Sequence, residues 1–314
     1  MADKAQTHAF CVDSRFDYEP LFFSHPGEEK LPINFLGKKM DYPFWISSMT
    51  GGAEISFSIN QNFAKLSGKY NLGMGLGSCR SLLNSNERLK DFSVRNLTNG
   101  PLYANLGIAQ VEEAVLASSE NKIHDLINKL EADGLIIHLN PLQEWFQPEG
   151  DRFRLTPLET LTRFLDQTTY PVIVKEVGHG LGPKSLAALL KLPLKAIEFG
   201  AFGGTNFTLL ESMRSEECLV KAPFIKVGHA ASEMVDILNA LPKGDKEFII
   251  SGGIKNVLDG YELVQKLKAP AVIGMAHSFL GPAMESFEAL EIYFLNLREA
   301  YLMARGLLRV KEQE

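Results

Sequence analysis

Cysteine is scarce in this chain of 314 residues: Cys11, Cys79 and Cys218 are far apart, odd in number and without a CxxC pair. They read as reduced thiols of a cytosolic protein, not as a disulfide framework. Long apolar runs are missing too. No stretch approaches the roughly 18 uncharged apolar residues of a membrane helix, and the polar start, residues 1–8, has no signal-peptide core. Positive charge is not in excess: 32 Lys and Arg stand against 38 Asp and Glu, for a formal charge of −6, and no basic stripe marks a nucleic-acid surface. An anionic ligand therefore needs a local positive site, because the overall field does not attract it. Short-period repeats and low-complexity linkers are absent as well. The expectation is a cytoplasmic protein with neither a membrane nor a nucleic acid as partner.

What the chain has is alternation. Eight short apolar runs occur at residues 45–51 (WISSMTG), 72–78 (LGMGLGS), 102–107 (LYANLG), 135–140 (LIIHLN), 172–177 (VIVKEV), 196–201 (AIEFGA), 248–254 (FIISGGI) and 271–276 (AVIGMA). Between most of them lie segments with period-3.6 apolar spacing: 60–67, 111–118, 123–130, 158–165, 184–190, 231–241 and 257–267. Strands alternating with helices imply parallel βα units, and eight of these close into a (β/α)8 barrel. A ninth run, 224–227 (FIKV), is assigned outside the barrel. Residues 283–305 read as a long amphipathic C-terminal helix, and 1–40 as an irregular N-terminal arm. The economical reading is a single domain over 1–314, a common length for such a barrel.

In barrels of this kind the active site lies at the carboxyl ends of the strands. Polar residues gather there: Ser47, Ser48 and Thr50, flanking Met49, after the first run; Ser78 and Arg80, flanking Cys79, after the second; Asn105 in the third; His138 and Asn140, then Gln143 and Glu144, after the fourth; Lys175 and Glu176 in the fifth. One such end would merely start a loop. Five in a row, with His138 and Asn140 two apart and so facing one way, indicate a site.

Glycine-rich ends follow: Gly203-Gly204-Thr205-Asn206, Ser251-Gly252-Gly253 and Gly274-Met275-Ala276. The last two end the seventh and eighth strands, where barrels commonly bind phosphate through backbone N–H groups and a helix N-terminus. Glycine lets the chain approach an anion with no side chain in the way. That phosphate should belong to a cofactor, because the polar ends of strands one to five lie across the mouth. Lys175 interrupts an apolar strand, which is costly unless it is paired. It could stabilise negative charge on a reduced flavin ring, form a Schiff base, or simply pair with a carboxylate. The loop carrying Glu144, Gln147, Glu149 and Asp151 offers oxygens to a hard cation such as Mg²⁺, though by itself it reads more readily as a solvated acidic loop. Among the isolated histidines, His179 and His229 are the strongest candidates for more than surface or core filling.

At these motifs the sequence resembles the type 2, FMN-dependent isopentenyl diphosphate isomerases. The resemblance is carried by residues 46–52 (ISSMTGG), 105–107 (NLG), 138–144 (HLNPLQE), 147–151 (QPEGD), 172–178 (VIVKEVG), 203–205 (GGT) and 251–254 (SGGI), in order over about residues 35–280. It implies an FMN-binding barrel that converts isopentenyl diphosphate to dimethylallyl diphosphate in isoprenoid biosynthesis. Reduced FMN acts as acid and base, NADPH is the reductant, and Mg²⁺ sits on the diphosphate. It also implies roles. Ser48, Met49, Thr50, Ser78, Asn105, Lys175 and Thr205 surround FMN, and Gly252, Gly253, Gly274 and Ala276 form its phosphate loop. Arg80, His138, Asn140 and Gln143 meet the substrate, with Ser78 near its diphosphate as well as the cofactor, Glu144 ligates Mg²⁺, and Gln143, Lys175 and His138 form the catalytic set. A homo-oligomer, tetramer or octamer, is expected, with the arm's Phe16, Tyr18, Phe22 and Phe23 packing on a neighbour or on their own barrel.

The start departs from the family. Where it usually reads Arg-Lys-x-Asp/Glu-His, residues 4–8 read KAQTH, so two cations that reach the diphosphate are missing unless Arg15 or Lys4 replaces them. Two other functions compete. One is an FMN oxidoreductase of the hydroxyacid-oxidising kind, which needs a His base and carboxylate-clamping arginines. The other is a flavin-binding paralogue without isomerase activity.

Overall fold

A computed structural model describes residues 5, 7–8, 11–25, 29–49, 55–214 and 222–311. Each of the eight apolar runs supplies one strand: β1 (Phe44–Ile46), β2 (Gly73–Gly75), β3 (Leu102–Gly107), β4 (Gly134–Leu139), β5 (Val172–Glu176), β6 (Ala196–Glu198), β7 (Glu247–Ser251) and β8 (Ala271–Met275). All pair in parallel with their sequence neighbours, and β8 closes on β1 with Gly274 opposite Trp45. The fold is the (β/α)8 barrel. The ninth run forms a 3-10 turn, Ala222–Lys226, outside it. Phe224 and Val227 are exposed, so this segment has no buried face on which to build a strand.

Alternation along the strands sorts the inward side chains into two tiers. The lower tier holds Trp45, Tyr103, Ile136, Ile173, Ala196, Ile249 and Val272, one apolar cluster. Gly73 completes it: a Cβ there would stand 2.3 Å from the Trp45 ring. Below lies a hairpin of Ile33–Phe35 and Lys38–Met40, whose two turn residues, Leu36 and Gly37, both have positive φ (53° and 78°). Phe35, Leu36 and Met40 join the lower cluster and plug the barrel floor. The Leu36 N–H donates to the Glu247 carboxylate at 3.0 Å, and Lys195 pairs with the same carboxylate at 3.1 Å.

Helices cover the outside. Among the described residues, two N-termini carry full capping boxes, Thr156 with Glu159 and Asn256 with Asp259. The C-terminal amphipathic pattern resolves into two helices, His277–Glu285 and Phe287–Leu307. Ser286 separates them: its backbone is extended and its hydroxyl accepts from the Ala289 N–H, so it starts a new helix. In the arm, Phe16–Tyr18 pairs antiparallel with Leu308–Val310, and Phe16 is buried against Tyr261. Tyr18, Leu21 and Phe22 stay exposed. Arg15 is engaged by Asp13, Asp259 and Glu262 on the outer helix after β7. It therefore does not stand in for the missing Arg-Lys pair, and Lys4 lies outside the described residues. No helix among the described residues is long and apolar enough to cross a membrane.

Candidate functional site

Two residues beyond the lower tier, the same strands present Ser47, Gly75, Asn105, His138, Lys175, Glu198, Ser251 and Gly274. This upper tier floors the barrel mouth and is polar almost throughout. Above β5–β8 and β1 it opens into a cavity of about 610 Å³. Of the residues expected around a cofactor, Ser48, Met49, Lys175, Thr205, Gly252, Gly253, Gly274 and Ala276 line it. Thr50 lies outside the described residues. Ser78 and Asn105 are not in the cavity wall: Asn105 is on β3, and Ser78 lies in the segment after β2.

The cavity's glycines are there for geometry. Gly252 and Gly253 have φ of +85° and +71°, and a Cβ on Gly252 would come within 2.2 Å of the Ala201 carbonyl. A Cβ on Gly204 would meet the Gly253 nitrogen at 3.2 Å. The two glycine loops are thus packed backbone to backbone, and Gly203, Gly204, Gly252 and Gly253 all line the cavity. The helix His277–Glu285 begins at the same rim, with His277 and Ser278 in the cavity wall. Its N-terminus adds a positive dipole end. Together these groups suit a phosphate.

Lys175 is nearly buried, and its ammonium donates to the Glu176 backbone carbonyl at 3.0 Å. The Glu176 carboxylate faces elsewhere. It accepts from the N–H groups of Gly178, His179 and Gly180, while burial pushes its pKa up. Lys175 is therefore not spent on an ion pair with its neighbour. Its charge acts on His138, the adjacent residue in register on β4. Burial first, and then the Lys175 charge, pull His138 down to about 3, so its ring is neutral at physiological pH. His138 Nδ1 donates to Asn105 Oδ1 at 2.8 Å, which leaves Nε2 as an acceptor.

The remaining expected residues form a second polar group over β2–β4. Gln143 and Glu144 sit in a short helix, Pro141–Phe146, not in a loop: Pro141 takes the first helical position, where its missing N–H costs nothing. Asn140 Nδ2 donates to Glu144 Oε1 at 2.8 Å and to Gln143 Oε1 at 3.3 Å. Glu144 Oε2 accepts from the Asp151 N–H at 2.7 Å, and Asp151 in turn pairs with Arg80 at 3.4 Å. Arg80, Asp151, Glu144, Asn140 and Gln143 thus form one network. Across the mouth lies the glycine-walled cavity, and Lys175 and His138 stand between the two.

Four buried polar atoms of these two groups have no hydrogen-bond partner: Ser47 Oγ, Ser48 Oγ, Glu198 Oε2 and Asn140 Oδ1. Unpaired buried polar groups are costly, and their concentration here marks a place built for a polar ligand. Glu198 escaped the sequence reading. Its signal was a charge inside an apolar strand, the same signal that singled out Lys175. His179 braces loops: its ring nitrogens contact the Val227 carbonyl and the Thr208 hydroxyl. His229 pairs with Glu233. Buried Cys79 is pushed up to about 12 by desolvation and is inert as a thiolate.

No family model matches the chain. Curated relatives do. The chain is 34% identical over 272 residues to the isopentenyl-diphosphate delta-isomerase of Rickettsia peacockii (strain Rustic), covering 84% of this chain and 78% of that one. To the enzyme of that name from Rickettsia africae (strain ESF-5) it is 35% identical over 253 residues, 79% of this chain and 72% of that one. Among solved structures, the monotopic membrane protein (S)-mandelate dehydrogenase superposes with a TM-score of 0.62 at 13% identity, covering 95% of this chain and 88% of that one. A soluble mutant of the (S)-mandelate dehydrogenase from Pseudomonas putida gives 0.56 at 13% identity, over 93% and 83%. A mandelate oxidase mutant carrying an FMN adduct gives 0.55 at 12% identity, over 92% and 88%. These likenesses show the shared barrel, whereas the sequence identity, sustained over most of both chains, shows descent: the chain belongs to the isopentenyl-diphosphate delta-isomerase family.

Proposed function

We propose that the chain interconverts isopentenyl diphosphate and dimethylallyl diphosphate in a single FMN-binding barrel domain, with FMN in the glycine-walled cavity and the diphosphate over the Arg80–Glu144 network. The observation that carries this reading is the set of unpartnered polar atoms in and beside a cavity whose glycine rim suits a phosphate. The volume, the phosphate-accepting rim and the Lys175 cation at the other end fit a flavin mononucleotide. A mandelate oxidase of the same fold carries an FMN adduct.

Bound FMN, once reduced by NADPH, would supply the acid and base that relocate the double bond. The protein's own residues bind and orient. Gly252, Gly253, Gly274 and Ala276 hold the cofactor phosphate, with Ser48, Met49 and Thr205 around the rest of it. Lys175 places a positive charge where a reduced ring becomes anionic. Ser78 and Arg80 take diphosphate oxygens, Arg80 as a charge-assisted donor. Neutral His138, oriented by Asn105, and Asn140 add hydrogen bonds without another charge. Gln143 stands beside the reacting carbons. Among the described residues no group of three or more His, Cys, Asp or Glu could hold a metal ion. A single carboxylate, Glu144, completed by diphosphate oxygens and water, is a donor set that suits Mg²⁺ arriving with its substrate.

Hydroxyacid oxidation on the same barrel is the second reading. It calls for a His base with carboxylate-clamping arginines, and the sequence has no such His–Gly–Arg cluster after the sixth or seventh strand. Incubating the protein anaerobically with FMN, NADPH, Mg²⁺ and isopentenyl diphosphate, and following dimethylallyl diphosphate by NMR, tests the proposal. Turnover should require the reductant and fall about 10²-fold in Gln143→Ala, the size of effect expected when an orienting contact is lost. An FMN-loaded protein without turnover would overturn it.

A further inference from the structure

Glu198 is fully buried at the carboxyl end of β6, in the wall of the cavity. One carboxylate oxygen accepts from the Ser251 hydroxyl at 3.1 Å, and the other has no partner. A buried carboxylate oxygen left unpaired is among the costlier features a fold can keep, so a donor is missing from the picture. Its place in the cavity narrows what that donor is. Ser251 directly precedes the Gly252-Gly253 phosphate loop. Lys175, at the opposite end of the proposed flavin, is the register partner of Glu198 on β5. Glu198 therefore lies between the phosphate end and the ring end. A carboxylate repels a phosphate and an anionic reduced ring alike. The portion of the ligand it can face with profit is a neutral one carrying O–H donors.

We infer that Glu198 is a binding residue for the polyol chain of the cofactor, its free oxygen accepting a ribityl hydroxyl while Ser251 holds the other oxygen in place. This rests on the FMN reading and adds to it the group that selects a hydroxylated linker. The competing partner is Lys175. A lysine that swung from the Glu176 carbonyl to Glu198 would satisfy the same oxygen without any ligand hydroxyl.

Equilibrium binding, read by flavin fluorescence, separates the two. The ligands are FMN and a flavin phosphate whose five-carbon chain carries no hydroxyls. The proteins are wild type, the isosteric Glu198→Gln, and Glu198→Ala. Wild type should bind FMN at least tenfold more tightly than the hydroxyl-free analogue, a charge-assisted hydrogen bond being of that size. Glu198→Ala should lose that preference by weakening FMN alone, and Glu198→Gln, which keeps a neutral acceptor, should fall between. Should Glu198→Ala fail to fold, the comparison of wild type with Glu198→Gln decides. A variant that keeps the wild-type preference, or that weakens both ligands equally as loss of a Lys175 partner would, overturns the assignment. If wild type binds neither flavin, the FMN reading itself fails, an outcome distinct from a change confined to the variants.

Discussion

In the lower tier of the barrel, Trp45, Tyr103, Ile136, Ile173, Ala196, Ile249 and Val272 fill the interior with apolar volume. Two residues further along the same strands, Ser47, Asn105, His138, Lys175, Glu198 and Ser251 put polar and charged groups into a space no less enclosed by backbone. The lower tier packs ring on ring, as Trp45 does edge-on against Tyr103 at 6.0 Å between centroids, and a single indole N–H, that of Trp45, is its unpartnered polar group among the described residues. The upper tier leaves three of those side chains with an unpartnered atom or an unspent charge: Ser47, Glu198 and Lys175. The difference teaches where this fold stores stability and where it gives some up for a ligand.

That contrast can be broken from either side. The largest effect is expected in the lower tier. Trp45→Ala removes its biggest fully buried side chain beside Gly73, which cannot fill the hole, and should cost about 3–5 kcal/mol in urea unfolding. The upper tier should behave the other way. Lys175→Met removes a buried charge and should leave unfolding free energy unchanged or raised, while turnover falls about 10²–10³-fold. A Lys175→Met protein that unfolds far more easily would make the lysine a structural group and collapse the distinction.

Acid sharpens it next. His138 titrates near 3 when folded, against about 6.5 when unfolded. Between those values the unfolded chain binds the extra proton, so this residue's effect is absent above pH 6.5 and destabilises as pH falls toward 3. The urea midpoint of wild type should therefore drop more between pH 7 and pH 5 than that of His138→Gln. The smallest effect on stability is expected at the rim. Arg80 is exposed and its ion pair with Asp151 is solvated, so Arg80→Ala should shift stability by no more than about 0.5 kcal/mol. The KM for isopentenyl diphosphate should rise several-fold with kcat nearly unchanged.

Particular residues show how much was legible beforehand. All eight strands were, because a parallel strand buried on both faces must be written as a short apolar run, and runs such as 172–177 can be little else. The glycine rim was legible because backbone that closes on backbone tolerates no Cβ. The helix at Pro141–Phe146 was not: six residues are too few for a period to declare itself, and the polar HLNPLQE motif reads locally as a turn. The break at Ser286 was hidden for the opposite reason, since apolar spacing runs through it and only the extended backbone of the capping residue marks the end of one helix.

The sequence by itself determined the barrel, the identity of its polar mouth and the resemblance on which its family membership could be tested, because burial periodicity and glycine placement are local properties written residue by residue. Tertiary structure alone decided the partnerships: Arg15 committed to the outer helix after β7 and not to the missing diphosphate cations, Lys175 held on a backbone carbonyl and not on a carboxylate, and Glu198 left with one free oxygen in the cavity wall. Those depend on which residues distant in the chain face each other once the barrel closes, and the spacing of residues along one strand carries no record of the register of the next.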